Sequence, residues 1–364
     1  MTGFSSRWKR GRTGVLVGAL ALASMGAFAL GDGGTRAGDG VAVSSSTAAG
    51  STAAGSTAAG SRFEAGLEAT GRDAASKTGV QLRTSAFDAG EWDLPNLDHE
   101  RVDYWVARFD TVPEMREKFE GFLERSGRYV PMISRKLAER GMPQDLIFLA
   151  MIESGFEPTA YSHAQASGLW QFIAATGQRY GLDIDRAVDE RRDPVRATDA
   201  AHDYLEDLYD RFGSWYLAAA SYNTGEGRVG RIMRREFGTE RATGEEAYYR
   251  IWRHLPRETR DYVPLMIAAG RIARDAEQYG FAHVVLESPG AYEEIVVKPA
   301  TPLIEIARGA GTTVEAIREL NPHFKIHRTP NNRDYPVRVP VGTAERLAHL
   351  DVSGRVTLGG TAAE

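Results

Sequence analysis

Three short segments of the sequence place one carboxylate among aromatic and amide side chains. They are Glu153-Ser154-Gly155-Phe156, Gly168-Leu169-Trp170-Gln171-Phe172 and Ser221-Tyr222-Asn223-Thr224-Gly225. A carboxylic acid can donate a proton and take one back, whereas flat aromatic rings and amides are groups that hold sugars. If the fold brings these segments together, they predict cleavage of a glycosidic bond in a polysaccharide.

The position of Glu153 predicts a carboxyl group with a raised pKa. Residues 144–154 have the apolar spacing of a helix, and Glu153 extends the apolar stripe. Gly155 follows where a helix would end, so this carboxyl lies near the negative end of the helix dipole. Burial and the dipole both disfavour the ionised form, which suits a general acid near neutral pH. The alternative, a partly exposed glutamate at a frayed helix end, does not account for the neighbouring motifs.

The sequence provides no second carboxylate in the stretch that follows Glu153. No Asp or Glu occurs in residues 158–182, which we expect to form one wall of the cleft. Glycosidases that use water generally place two carboxylates about the scissile bond. Asp193 and Glu226 are more distant candidates, but Asp193 is better explained as the helix cap before Pro194. The expected nucleophile is therefore a hydroxyl of the substrate itself, held at high effective concentration.

Four polar side chains of the three segments are candidates for binding the sugar. The Gln171 amide can donate to and accept from an N-acetyl group or a hydroxyl, and Asn223 can hold an acetamido group. Tyr222 offers a flat face for stacking on a pyranose ring, and the alternative is that it packs under the helix that it ends. Ser154 can hydrogen-bond Glu153 or the substrate. The aromatic residues on either side of Gln171 are interpreted as core.

The absence of cysteine excludes several kinds of site. The chain has 364 residues, 42% hydrophobic and 26% charged, which is enough for two domains with cores of their own. Without cysteine there are no disulfides, thiol nucleophiles, Cys-type metal sites or lipid-modified cysteines. His163, His202 and His254 lack the spacing of a zinc-binding helix, so we predict neither a metal nor a cofactor.

The first 30 residues predict export of the chain. Four basic residues between positions 7 and 12 precede the uncharged stretch 13–31, in which Ala27-Phe28-Ala29 offers a small-x-small cleavage site. We interpret residues 1–30 as a signal peptide or an N-terminal membrane anchor, and either would deliver the rest to the periplasm or cell envelope. Loss of residues 1–29 changes the formal net charge from −5 to −9, and an acidic protein is poorly suited to nucleic acid.

Changes in composition then separate a linker from a helical domain. Residues 31–97 are interpreted as a low-complexity, disordered linker, with three tandem Ser-Thr-Ala-Ala-Gly copies at 46–60. Residues 98–280 carry helical spacing in successive segments, one of them at 168–180. We therefore predict an all-helical domain over 98–280.

After a second linker, 281–290, the pattern changes to a βααβ order in residues 291–345. This part resembles a LysM module, a small domain that binds N-acetylglucosamine-containing chains, although Pro299-Ala300-Thr301 replaces the usual Gly-Asp-Thr turn. Its role is either glycan binding or packing between domains. In both cases we expect truncation after about residue 290 to leave the helical domain folded and to change turnover of soluble fragments little. Residues 346–364 are predicted to be a disordered tail.

The helical region resembles the lysozyme-like domain of lytic transglycosylases of the membrane-bound type D group. The resemblance rests on four motifs that follow one another along the chain. They are Glu153-Ser154-Gly155-Phe156, Ala166-Ser167-Gly168-Leu169-Trp170-Gln171-Phe172, Ala219-Ala220-Ser221-Tyr222-Asn223-Thr224-Gly225 and Glu258-Thr259-Arg260-Asp261-Tyr262-Val263-Pro264. It implies a mainly α fold, with a lysozyme-like all-helical catalytic domain followed by the small βααβ LysM-like module. It also implies that Glu153 is catalytic and that the substrate-binding residues are Ser154, Gln171, Tyr222, Asn223 and Tyr262.

For the activity, the resemblance implies a carbon–oxygen lyase that acts on peptidoglycan glycan strands. Glu153 would protonate the oxygen of the MurNAc-GlcNAc β-1,4 bond and then take the proton of the MurNAc 6-hydroxyl, which closes onto C1 as a 1,6-anhydro ring. Two alternatives remain. One is a peptidoglycan-binding scaffold with weak or no turnover, against which the intact Glu153-Ser154 pair counts; the other is a muramidase-type hydrolase. No feature of the sequence identifies a protein partner.

Overall fold

A computed structural model describes residues 86–87, 92–354 and 356–359 of the chain. The predicted signal peptide or anchor and most of the predicted linker lie outside these residues. No helix in the described part of the chain is both long enough and apolar enough to cross a bilayer.

Nine α-helices precede residue 280 in the described part of the chain. They are α1 (Glu100–Thr111), α2 (Pro113–Glu139), α3 (Ile147–Ser154), α4 (Ala174–Arg179), α5 (Pro194–Phe212), α6 (Trp215–Thr224), α7 (Glu226–Phe237), α8 (Glu246–Ile251) and α9 (Arg257–Arg274). The predicted mainly α class is confirmed. Pro194 begins α5 as predicted, and the Asp193 side chain accepts hydrogen bonds from the N–H groups of Val195 and Arg196.

Helices α3 and α9 lie in the interior of the helical domain. Every residue of α3 from Ile147 to Glu153 is buried, and α9 packs against α1, α3 and α6. A helix that is apolar on all sides belongs in the core. The end of α3 therefore carries Glu153 into the interior and not onto the surface.

The chain between α3 and α4 is a folded loop, here called the 156–173 loop. Two isolated β-bridges shape it, Tyr161 with Ser167 and Ser167 with Phe172. The helix predicted for 168–180 starts only at Ala174, because Gly168 and Gln171 have φ angles of 86° and 48°. Left-handed backbone at these two positions is incompatible with a continuous right-handed helix.

The C-terminal module contains the predicted βααβ order. Its elements are β1 (Tyr292–Val297), α10 (Leu303–Ala310), α11 (Val314–Leu320) and β2 (Tyr335–Val339), followed by β3 (Thr357–Gly359). The antiparallel sheet has the order β2-β1-β3. Here β3 comes from the stretch that the sequence analysis treats as a disordered tail, and it pairs with the free edge of β1, which gives that edge backbone partners. Below, "the module" means residues 292–359.

The predicted linker 281–290 packs against the helical domain. Phe281 and Val284 are buried in its core, and the Glu287 N–H donates to the Glu124 carbonyl on α2. A side chain at Gly127 would overlap the Glu287 backbone, so the two segments are in direct backbone contact. Residues 281–287 are therefore ordered and lie against the helical domain, including α2.

Candidate active site

Glu153 occupies the last turn of α3 and is 5% exposed. Gly155 ends the helix in the left-handed conformation, with φ of 60°, and its N–H donates to the Met151 carbonyl. A side chain at Gly155 would overlap the Phe122 ring, so only glycine fits this stop. The predicted placement of Glu153 is confirmed: it extends the buried apolar side of α3, and a glycine ends the helix two residues later.

The surroundings of Glu153 keep its carboxyl group protonated at neutral pH. Burial is the largest cause and raises its pKa to about 8. The Tyr262 hydroxyl, from α9, donates a 2.5 Å hydrogen bond to Glu153 Oε1 and partly opposes this rise, while the negative charge of Glu258 adds to it. A carboxylic acid in this state is a proton donor in the pH range where an ordinary glutamate is ionised.

Tyr262 and Glu258 reach the site from the same face of α9. They are four residues apart, a spacing that places two side chains on one side of a helix. Tyr262 is 1% exposed, and contact with Glu153 and burial raise its pKa well above the usual tyrosine value. Glu258 is not among the second carboxylates considered from the sequence, because it lies far along the chain from Glu153 and on another helix. The i, i+4 spacing to Tyr262 within the fourth motif is the signal that identifies it.

Asn223 connects Glu258 to the third segment of the site. It is 2% exposed, and the Thr259 hydroxyl donates to Asn223 Oδ1 at 2.8 Å. Burial raises the pKa of Glu258, and a hydrogen bond with the Asn223 side chain opposes that rise. Glu258 Oε1 is buried and has no hydrogen-bond partner within the described residues. Such an oxygen is costly in a folded protein unless something binds it, so it marks a polar position of the site.

Ser154 holds the 156–173 loop against the end of α3, and Gln171 bonds one part of the loop to another. The Ser154 hydroxyl donates to the Leu169 carbonyl at 2.8 Å and accepts from the Glu157 N–H at 3.2 Å. Gln171 Nε2 donates to the carbonyls of Gly168 and Ala160 at 2.9 and 3.3 Å. Both side chains therefore bind the loop backbone in this structure, and Ser154 joins it to the helix turn that carries Glu153.

Tyr222, on α6, packs against the 156–173 loop. It is 3% exposed, its ring packs between Phe172 and Tyr204, and its hydroxyl donates to the Trp170 carbonyl at 2.8 Å. Trp170 is itself buried and donates from Nε1 to Thr198. Stacking of a sugar on the Tyr222 ring stays a prediction, and in this structure the ring is buried beside Phe172 and Tyr204. The alternative, packing under the helix that it ends, is the observed arrangement.

No cluster of three or more His, Asp or Glu side chains within the described ranges is arranged to hold a metal ion. His202, one of the histidines considered above, is fully buried and packs edge-on against Trp170. Burial lowers its pKa to about 3, so its ring is neutral. The acid and base chemistry available at the site is that of the two carboxyl groups and the Tyr262 hydroxyl.

Two protein-family profiles match the chain. The Transglycosylase SLT domain matches residues 131–243, and the LysM-like domain of lytic transglycosylase MltD matches residues 291–355. The SLT match contains Glu153, Gln171 and Asn223, whereas Glu258 and Tyr262 follow its end. The two profiles thus cover the segment that carries Glu153 and then the module, in the order predicted from the sequence.

The chain is also similar to individual proteins. It is 30% identical over 302 residues to the membrane-bound lytic murein transglycosylase D of Escherichia coli strain K12, an alignment that covers 80% of this chain and 66% of that protein. It is 37% identical over 105 residues to the peptidoglycan transglycosylase gp16 of Escherichia phage T7, covering 28% of this chain and 8% of that protein. The chain thus spans about two thirds of its E. coli relative.

Among solved structures, the 70 kDa soluble lytic transglycosylase of Escherichia coli matches 41% of this chain and 24% of its own, with a TM-score of 0.34 and 24% identity.

Proposed function

The chain belongs to the membrane-bound lytic murein transglycosylase D family, with an SLT domain and the LysM-like domain of that family, and we propose that it cleaves peptidoglycan without water. The bond cut is the β-1,4 bond between MurNAc and GlcNAc, and the product carries a 1,6-anhydroMurNAc end. The observation that carries this proposal is Glu153, a buried carboxyl group whose pKa is raised to about 8 and which a tyrosine holds in place.

The proposed reaction needs one proton to move in each direction. Glu153 gives its proton to the glycosidic oxygen as the bond to C1 breaks, and the GlcNAc-side sugar leaves as an alcohol. The carboxylate that remains then takes the proton of the MurNAc 6-hydroxyl as its oxygen bonds to C1. No water is consumed, and Glu153 ends in its starting form. The substrate hydroxyl is the nucleophile because it is already tethered beside C1.

The other predicted site residues take supporting roles in this proposal. Tyr262 positions the Glu153 carboxyl, and Asn223 fixes the neighbouring Glu258. Ser154 and Gln171 fix the loop that faces Glu153, with Tyr222 beneath it. Sugar contacts from Ser154, Gln171 and Asn223 are part of the proposal, which the positions of these residues in the three motifs support. The N-terminal segment supports export to the periplasm or cell envelope, where glycan strands of peptidoglycan are the partner.

The test of this proposal is the chemical form of the products. Purified protein is incubated with sacculi, and the released muropeptides are analysed by mass spectrometry with and without borohydride reduction. We expect muropeptides that borohydride leaves unreduced, because a 1,6-anhydro ring has no free reducing end. Products heavier by one water, with reducing MurNAc ends, would contradict the proposal and favour a hydrolase. No release at all would favour the scaffold alternative.

Glu258 is the observation that favours a muramidase-type hydrolase as the second candidate. Its charge reaches Glu153, and two carboxylates about one bond are what hydrolytic glycosidases use. In that mechanism Glu258 would activate water or trap the sugar. In the transglycosylase mechanism it only helps to keep Glu153 protonated.

The variant Glu258→Gln separates these two roles. If Glu258 acts through its charge, its loss lowers the pKa of Glu153, and the fall of kcat/KM at high pH moves to lower pH. The products keep their anhydro ends. The matched control is Glu246→Gln, an exposed glutamate of α8, which is expected to leave the profile unchanged. Loss of activity as large as that of Glu153→Gln would instead identify Glu258 as a second catalytic carboxylate.

A further inference from the structure

The module shares its apolar core with the helical domain. Ala187 and Val188, which precede α5, are buried in the same cluster as Phe324 and Tyr335 of the module. A β-bridge joins Val188 to Phe324. On both sides of it lie backbone hydrogen bonds, from the Lys325 N–H to the Ala187 carbonyl and from the Asp189 N–H to the His323 carbonyl. The module therefore completes its own core with two residues from the helical domain.

A buried ion pair fixes this contact. Arg338 of β2 donates from Nη2 to both carboxylate oxygens of Asp193, at 2.7 and 2.8 Å, and the two side chains are 6% and 1% exposed. Asp193 is also the cap of α5, and His323 Nδ1 lies 3.2 Å from its Oδ2. Asn321 holds the Arg338 backbone at both its N–H and its carbonyl. Two buried charges with this many partners have one good geometry, so the contact is specific.

A second contact binds the module to the same stretch of chain. The Tyr335 hydroxyl donates to Glu190 Oε1 at 2.7 Å, and Glu190 Oε2 accepts from the Asp183 N–H. Arg333 pairs with the carboxylates of Asp183 and Asp185. Residues 183–193, here called the 183–193 segment, are thus held by the module along their length.

From the 183–193 segment, two arginines reach the 156–173 loop: Arg192 Nε donates to the Ser167 hydroxyl at 3.2 Å, and Arg191 makes the more buried contacts. Asp189 binds the Arg191 guanidinium through two hydrogen bonds, at 2.8 and 2.7 Å. The third side of that guanidinium, Nη1, donates to the carbonyls of Gln165 and Phe172 at 2.7 and 3.0 Å. Arg191 is 5% exposed. The planar guanidinium of Arg191 is thus held by the Asp189 carboxylate and in turn fixes two backbone carbonyls of the 156–173 loop.

The loop depends on such support because three of its residues are strained: Phe156, with a φ angle of 61°, and two glutamines. Gln165 and Gln171 have φ angles of 63° and 48°, a region that non-glycine residues adopt at a cost. Arg191 binds the carbonyl of Gln165 and the carbonyl of the residue after Gln171. Strained backbone persists where surrounding contacts hold it, and here those contacts lead through Arg191 and Asp189 to the module.

We propose that the module is a positioning element of the active site: through the Asp193–Arg338 pair it holds the 183–193 segment, and Arg191 of that segment holds the 156–173 loop, which Ser154 joins to the end of α3 beside Glu153. Arg191, Asp193 and Arg338 are positioning residues, since none of them touches Glu153. This inference rests on the proposed function for its kinetic consequence, and it replaces the expectation that the module has little effect on soluble fragments. A module that served only to retain the protein on glycan would not contact the loop's support.

The experiment uses the full chain with Arg191→Gln, Arg338→Gln and the double variant. Kinetics are measured on a soluble tetrasaccharide of alternating GlcNAc and MurNAc, so that retention of the protein on insoluble sacculi has no effect on the rate. We expect each single variant to lower kcat by about tenfold, because displacement of a positioning contact by about 1 Å costs up to ~10² in rate. The double variant is expected to be slower than Arg191→Gln by much less than the product of the two single effects, because most of the contacts through which Arg338 acts belong to Arg191. Arg308→Gln, an exposed arginine of α10 in the same module, is the matched control and keeps the wild-type rate.

Amide hydrogen exchange gives a readout that does not depend on turnover. The N–H groups of Ser167 and Gly168 are bonded within the loop, and we expect them to exchange faster in Arg338→Gln, with no change in Arg308→Gln. Unchanged exchange in the loop, or an effect of Arg338→Gln that multiplies with that of Arg191→Gln, would overturn the inference. An inactive wild-type protein would count against the proposed function alone, since exchange still tests the coupling. If Arg338→Gln does not fold by circular dichroism, Tyr335→Phe, which removes one interface hydroxyl, takes its place in both measurements.

Discussion

Glu153→Gln is expected to lower kcat on peptidoglycan by at least ~10²-fold, the usual range for loss of a general acid and base. Glutamine has the shape of the protonated side chain and can accept the hydrogen bond from Tyr262, but it has no proton to give. The folded structure is expected to persist, because the wild-type carboxyl is already neutral near pH 7 in its buried site. Zymography on purified sacculi together with quantified release of soluble muropeptides measures the effect.

The pH profile of the wild-type protein belongs to the same prediction. The active form of Glu153 is the protonated one, so kcat/KM is expected to fall as the pH rises through about 8, the pKa that burial gives it. The matched control is Glu139→Gln at the end of α2, where the side chain is 64% exposed, and wild-type activity is expected there. If Glu153→Gln retained near wild-type activity, Glu153 would have no part in the mechanism.

Gly168→Ala is expected to have the largest effect on the loop that faces Glu153. A methyl group at Gly168 would overlap the Arg191 carbonyl, and the φ angle of 86° is itself unfavourable for alanine. Left-handed backbone costs a non-glycine residue about 1–2 kcal/mol, and forcing a methyl group into a packed site costs about 1–3 kcal/mol more. We expect both a lower melting temperature and a strong loss of kcat, because the methyl group pushes the loop away from the residue that supports it.

Gly181→Ala separates the two contributions. Gly181 has nearly the same φ angle, 85°, but no atom lies within 4 Å of a side chain placed there. Gly181→Ala is therefore expected to lower the free energy of unfolding by the cost of left-handed backbone alone and to keep the wild-type kcat. Thermal unfolding followed by circular dichroism and kinetics on soluble glycan measure the pair. Equal effects of the two substitutions on stability and rate would mean that the contact of Gly168 with Arg191 is unimportant.

Local features of the sequence are enough to place Glu153. Apolar spacing over one helix and a glycine at its end determine which side of the helix enters the core and where it stops, and both depend on residues close together in the chain. The same holds for the α5 start at Asp193 and Pro194 and for the βααβ order of the module. In each case the relevant contacts lie within one element or one turn of chain.

The partners of these residues were decided by the tertiary structure. The hydrogen bond from Tyr262 to Glu153 joins residues 109 positions apart, and the pair between Arg338 and Asp193 joins residues 145 apart. No periodicity carries such information, because it depends on how helices and sheet pack against one another. Tyr222 shows the same limit: its motif identifies it, yet only the packing of α6 against the 156–173 loop and α5 decides that its ring lies beside Phe172 and Tyr204.

The module marks the boundary between the two kinds of information most clearly. Its sequence predicts the βααβ order, since those strand and helix patterns are local, but not β3, which depends on pairing with β1. Its attachment to the helical domain depends on the pair between two buried side chains, Arg338 and Asp193. From the sequence, the role of Asp193 as a helix cap is already a sufficient explanation of that residue. A cap uses only one side of its carboxylate for backbone N–H groups, and the remaining lone pairs are free to bind a charge from elsewhere in the chain. Only the folded chain shows which charge that is.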